Sequence, residues 1–193
     1  MAYLADQTSN TRYCPVFDWV GEPHYFRDMP HETPPGTRLA VEGFPRSLKI
    51  KSAHKALPDF FLLSGKYAVS SNTKDILDEF EPGKHQFIPV DLFRKNGEPF
   101  EGDFFVLHVR SAVDAIVPEE SDVYTDTTDN GYRFLQIAKV RPNLTVRRNA
   151  TIHRHFWTGD KNFSNLFFCS DEFFKRVKSA KLKGFDFTPM REA

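Results

Sequence analysis

Val69-Ser70-Ser71-Asn72-Thr73-Lys74-Asp75-Ile76-Leu77-Asp78-Glu79-Phe80-Glu81-Pro82-Gly83 carries a strand end, a helix and the stop of that helix in one short run. Ser70 or Ser71 suits the N-cap, where a hydroxyl accepts from an otherwise unpaired amide of the first turn. Thr73, Ile76, Leu77 and Phe80 then fall on one face at helical spacing, and Glu81-Pro82-Gly83 ends the helix. Upstream, Asp59 to Leu63 and Tyr67 to Val69 read as strands turned at Gly65. A hundred residues further on the plan recurs. Leu166 to Cys169 is a strand, Ser170 a cap, Asp171 to about Lys181 a helix with acids in its first turn and bases after them, and Phe185 to Thr188 a closing strand. The two segments align without a gap, pairing Ser70 with Ser170, Leu77 with Val177, Phe87 with Phe187 and Pro89 with Pro189. An internal repeat is therefore expected, with Phe87 and Phe187 as core residues in equivalent strands.

Between the copies, Gln86 to Phe93 and Asp103 to Val109 form a hairpin across Lys95-Asn96-Gly97-Glu98, because Asn-Gly supplies positive φ. Tyr132 to Val140, Leu144 to Val146 and Ile152 to Trp157 read as strands, and the Asp- and Thr-rich stretch Glu119 to Gly131 as a loop. The front, 1–57, holds many prolines, Pro30, Pro34 and Pro35 among them, and is expected to be an irregular arm with short strands. The fold class that follows is α+β: one domain over 1–193, with a mostly antiparallel sheet, two packed helices and a proline-rich N-terminal segment draped over them.

Composition limits the function. Of 193 residues, 40% are hydrophobic and 20 are Phe, enough for a packed core. No run approaches the length of a membrane helix and no leader precedes the first strands, so a cytoplasmic, unprocessed chain is expected. Two cysteines, Cys14 and Cys169, make neither a disulfide framework nor a zinc box. Net charge is zero, but its distribution is uneven. From Ser111 to Tyr132 there is no base, only Asp114, Glu119, Glu120, Asp122, Asp126 and Asp129. From Gly131 to Gly159 there is no acid, while Arg133, Lys139, Arg141, Arg147, Arg148 and Arg154 appear with His153 and His155.

The runs from Val69 to Val90, from Leu166 to Lys175 and from Leu182 to Pro189 resemble immunity protein 11 of bacterial polymorphic toxin systems, a family once classed as a domain of unknown function. The resemblance covers roughly 58–190, and the front matches nothing recognised. It implies a small protein, encoded beside a secreted toxin, that protects its producer by binding the toxin; it carries over no catalytic residue. The residues themselves agree. There is no phosphate loop, nucleophile elbow or His-Glu-X-X-His pair, so no catalytic residue, metal ligand or cofactor is assigned. His85 reads as a packed junction residue.

Two alternatives are carried. His153 and His155 on one strand face could share a metal in an enzyme, with Asp160 the nearest carboxylate. The basic strip 139–157, with Phe156 and Trp157 as stacking rings, could bind nucleic acid, although the balanced charge argues against it. The expected partner is a cognate toxin, met by the acidic stretch Asp114, Glu119, Glu120, Asp122, Asp126 and Asp129, with no membrane; a homo-oligomer is left open.

Overall fold

A computed structural model describes residues 1–19, 36–41, 46–127, 133–137, 142–159 and 166–193. In chain order these form β1 (Ala2–Gln7), β2 (Phe17–Trp19), β3 (Ser47–Ile50), β4 (Phe60–Leu63), β5 (Lys66–Ser70), α1 (Ser71–Phe80), β6 (Gln86–Phe93), β7 (Phe104–His108), β8 (Ala112–Val113), β9 (Val123–Thr127), β10 (Arg133–Ile137), β11 (Thr145–Val146), α2 (Arg148–Thr151), β12 (Phe156–Gly159), β13 (Phe167–Ser170), α3 (Asp171–Ser179), β14 (Phe185–Pro189) and β15 (Arg191–Glu192). One sheet runs β2-β3-β6-β7-β5-β4 and another β14-β1-β13-β12-β8.

Both anticipated helices form where their caps lie. Ser70 and Ser170 share one extended backbone conformation, φ −74° and ψ 165° against φ −76° and ψ 165°, and each accepts from the amide three residues on. The β4–β5 hairpin closes through Ser64 and Gly65, both at positive φ, which the twist of the strands requires. The β6–β7 hairpin also forms, with Gly97 at positive φ in its connection.

The repeat is deeper than the two helices. In the first half β5 and β6 flank β7, and in the second β13 and β14 flank β1. Registers coincide: Val69, Phe105 and Pro89 lie side by side, as do Cys169, Tyr3 and Pro189. Outward, Phe60 pairs with Val69 as Phe156 pairs with Cys169. Past the prolines, β3 joins β6 in parallel at Leu48 and Leu92, and β11 joins β15 in parallel at Val146 and Glu192. β2 then lies antiparallel on β3, and a single antiparallel bridge joins Ile116 to Val146 of β11. The chain is thus a tandem duplication, β1 to β6 followed by β7 to β15, in which the first strand of each half is exchanged into the sheet of the other.

Three buried clusters follow this plan. Leu48, Phe61, Ala68, Ile88 and Val106 fill the outer face of the first sheet, and Val146, Trp157, Phe168 and Leu4 that of the second. Between them a shared cluster takes Phe60, Val69, Ile76, Leu77 and Leu107 from one set of positions and Phe156, Cys169, Phe173, Val177 and Ala5 from the other. Phe87 and Phe187 occupy equivalent places but are half-buried rather than core. Each meets the ring on the central strand edge-on, Phe87 with Phe105 at 6.3 Å and Phe187 with Tyr3 at 6.4 Å. The Lys74 ammonium covers the first pair and Phe174 the second.

Several expectations are corrected. The sheets are mixed rather than mostly antiparallel, because β3, β8 and β11 all join parallel partners after long returns of the chain. At the front, β1 is an inner strand of the second sheet rather than part of a draped arm, while the proline-rich stretch with Pro23, Pro30, Pro34 and Pro35 lies outside the described residues. A third, short helix, α2, and a turn replace the start of the strand expected from Ile152, which begins only at Phe156. The expected Asp- and Thr-rich loop holds β9, paired antiparallel with β10.

The two halves approach closely at Gly184. Its φ is +98°, and a Cβ there would lie 1.9 Å from the carbonyl oxygen of Phe60. Gly184→Ala is expected to cost at least about 3 kcal/mol of unfolding free energy, because a backbone clash adds to left-handed strain. Gly65→Ala, with φ +86° and open space around it, should cost only about 1 kcal/mol. Urea unfolding of both variants checks this, and equal losses would remove the close approach as a constraint.

Candidate functional site

The strongest buried polar centre sits where the halves meet. In the duplicated frame Asp59-Phe60 corresponds to His155-Phe156. Ser70 N–H donates to the Asp59 carbonyl at 3.0 Å and Ser170 N–H to the His155 carbonyl at 3.0 Å. The cap hydroxyls reach the side chains of the same residues, Ser70 Oγ to Asp59 Oδ1 at 2.7 Å and Ser170 Oγ to His155 Nδ1 at 3.1 Å. At one end the Asp59 and Phe60 amides donate to the Lys183 carbonyl. At the other, the His155 and Phe156 amides donate to the carboxylate of Glu81, both at 3.3 Å.

Glu81 is 5% exposed and also accepts from His85 Nε2 at 2.8 Å and Lys84 Nζ at 2.9 Å. Burial pushes its pKa up, but the bonds from His85 and Lys84 outweigh this and hold it at about 2. His85 is the packed junction residue expected. Neither residue reaches a catalytic arrangement: the carboxylate spends its oxygens on four donors that tie α1 to β12, so the centre is structural.

The His153–His155 pair does not share a strand face. His153 lies on a turn at φ +63°, exposed, while the His155 ring stacks on Phe80 at 4.6 Å and binds Ser170. Among the described residues no three His, Cys, Asp or Glu side chains are grouped to hold a metal; Asp160 lies outside them. The basic strip loses its rings, since Phe156 and Trp157 are each 1% exposed and face the clusters. Its Arg147 is turned to Asp114, at 3.4 Å from the carboxylate and 2.9 Å from the carbonyl, and Arg154 reaches Ser111 Oγ. Lys139 and Arg141 lie outside the described residues.

The acidic stretch presents Asp114, Glu119 and Glu120 exposed, with Glu119 and Glu120 in a 3₁₀ turn, Pro118–Glu120. Asp122 is anchored, accepting from the Asn143 amide at 2.7 Å and from its side chain at 3.1 Å. Asp126 is half-buried on β9, and Asp129 lies outside the described residues. The stretch is held to the body by Arg191, whose Nη2 donates to the Glu120 carbonyl at 2.6 Å.

Beside it, sequence reading missed an open cleft of about 290 Å³ walled by Arg148, Ile152, His153, Arg154, His155 and Trp157. The tell-tale in the sequence is the break in the repeat there. The first half has no counterpart of α2, and Phe61 stands where the second half has Trp157.

A model of the immunity protein family (Imm11) matches residues 8–192, reaching well into the front of the chain. No curated protein matches the chain. The chain belongs to the immunity protein family.

Glu81 gives a pH test. Its folded pKa of about 2 lies below the ordinary value near 4.5, so its stabilisation is complete above pH 4.5 and is lost as pH falls toward 2. The amount is roughly 3 kcal/mol. Glu81→Gln is expected to be less stable than the parent at pH 7 by about 2–3 kcal/mol, with the gap closing between pH 5 and pH 2 in urea unfolding. A gap unchanged over that range would exonerate the carboxylate.

Proposed function

From membership of the immunity protein family, we propose that this protein acts as one domain in the cytoplasm of the producing cell, where it binds a cognate secreted toxin and neutralises it by covering the toxin's active site. The observation that carries this reading is the family match over 8–192. The mode of action is occlusion by a preformed surface rather than turnover. It is supported by a frame whose two halves are locked by exchanged strands and by a buried carboxylate, leaving little to rearrange on binding.

The contact assigned to the toxin is the acidic sector Asp114, Glu119, Glu120, Asp122, Asp126 and Asp129. Toxin domains that act on nucleic acid or other anionic substrates carry a cationic groove, and a stretch with six carboxylates and no Lys or Arg is complementary to one. Charges so placed act mainly on the rate of encounter.

Co-expression with the toxin encoded in the neighbouring reading frame should restore growth, and the two proteins should elute as a stoichiometric complex. Turnover of a substrate by the purified protein alone would overturn this reading. Glu119→Lys with Glu120→Lys, both exposed, should slow association about tenfold at low salt, with the difference shrinking as salt shortens the Debye length below its roughly 8 Å at physiological ionic strength. Stopped-flow or biosensor on-rates check it; an unchanged rate would move the contact elsewhere.

A further inference from the structure

The cleft beside the acidic sector is where the second half departs from its own duplicate. In the first half the outer cluster is closed by Phe61, an all-carbon ring that is fully buried. The equivalent ring in the second half is Trp157, also buried, which forms part of the cleft wall. Among the described residues its indole Nε1 is one of two buried side-chain nitrogens without a hydrogen-bond partner. A buried donor left unpaired is costly, so its place in the cleft wall calls for a partner.

Around this donor the wall is cationic. Arg148 is exposed and makes no side-chain hydrogen bond or ion pair among the described residues, and Arg154 has only the Ser111 hydroxyl, at 3.3 Å. Of the two carboxylates of the wall, Glu192 pairs with the Met1 ammonium at 3.0 Å, and Glu172 is exposed in the first turn of α3. The turn that carries these groups holds His153 at φ +63°, a conformation non-glycine residues adopt at a cost. It also leaves Ile152 53% exposed on the rim. Two arginines in one cleft wall, a buried N–H and an exposed aliphatic lip suit a carboxylate carried on a peptide.

We propose that this cleft is a binding site for an acidic segment of a protein partner, with Arg148 and Arg154 taking the carboxylate, Trp157 Nε1 completing the contact and Ile152 packing on the segment's backbone. The proposal rests on the toxin-binding reading for the identity of the partner and adds to it a second contact of opposite charge. The acidic sector and the cleft are adjacent, since Arg147 is bound to Asp114 and its neighbour Arg148 lines the cleft. A partner surface of matching bipolar charge would thus be fixed in orientation as well as attracted.

The test is an NMR titration of the full chain, ¹⁵N-labelled, following the Trp157 indole resonance. The probes are acetyl-Glu-Asp-Glu-amide, acetyl-Lys-Arg-Lys-amide and inorganic phosphate. The acidic peptide should shift the resonance saturably, the other two should not, and Arg148→Glu should weaken peptide binding about tenfold or more while the circular dichroism spectrum stays unchanged. No shift with the acidic peptide, an equal shift with phosphate, or full retention of binding in Arg148→Glu would each overturn the proposal. The outcome is independent of the toxin: if no complex forms with the neighbouring toxin, the immunity reading fails while the titration still decides the cleft.

Discussion

A strand in the middle of a sheet must have both rows of its backbone groups paired, and in this protein each half depends on the other for such a strand. β1 fills the gap between β13 and β14, and β7 the gap between β5 and β6. Without the exchange, each half would present an unpaired slot flanked by two strands and a helix above it. The shared central cluster follows from this, because the exchanged strands bring Ala5 and Leu107 to it from opposite halves. So does the seam of hydrogen bonds in which Lys183 takes the amides of Asp59 and Phe60 and Glu81 those of the equivalent His155 and Phe156. One end could use a carbonyl. The other uses a carboxylate, and that substitution brought with it the donors His85 and Lys84 that keep a buried charge tolerable.

What could be read from the chain was what depends on neighbours in sequence. The caps Ser70 and Ser170, the helical faces and the Gly65 turn are all local chemistry, and the repeat at an offset of 100 residues was visible because those signals recur in the same order. The exchange was not legible. Nothing in Ala2-Tyr3-Leu4-Ala5 says that its partners are Phe167 to Ser170, since pairing over such a separation leaves no mark on spacing. The parallel partners of β3 and β11 were missed for the same reason. β9 was hidden by composition: its Asp and Thr read as a loop, yet alternate along an antiparallel pair with β10. The His153–His155 pattern misled because period two was assumed across a turn, and a single left-handed residue is enough to destroy it.

The duplication also marks where the two halves differ. Most equivalent positions keep their role with a change of size, as Val69 with Cys169 or Val106 with Leu4. Around Trp157 the change is of kind, from hydrocarbon to a hydrogen-bond donor in a cleft wall that also holds Arg148 and Arg154. The acidic turn Pro118–Glu120 likewise has no counterpart in the first half among the described residues. Both departures fall on one side of the second half, so the charged, asymmetric surface is built on a symmetric and apolar frame.

The exchange orders events during synthesis. β1 is made first, but the slot it fills is complete only when β14 has been made, at the far end of the chain. Meanwhile β5, α1 and β6 assemble around a slot of the same register that belongs to β7, so the nascent first half briefly contains both the slot and a strand of matching length that is not its rightful occupant. Correct topology then requires β7 to win that place and β1 to wait, which makes the final closure a long-range and slow step and gives the ribosome's direction of travel a part in choosing the fold.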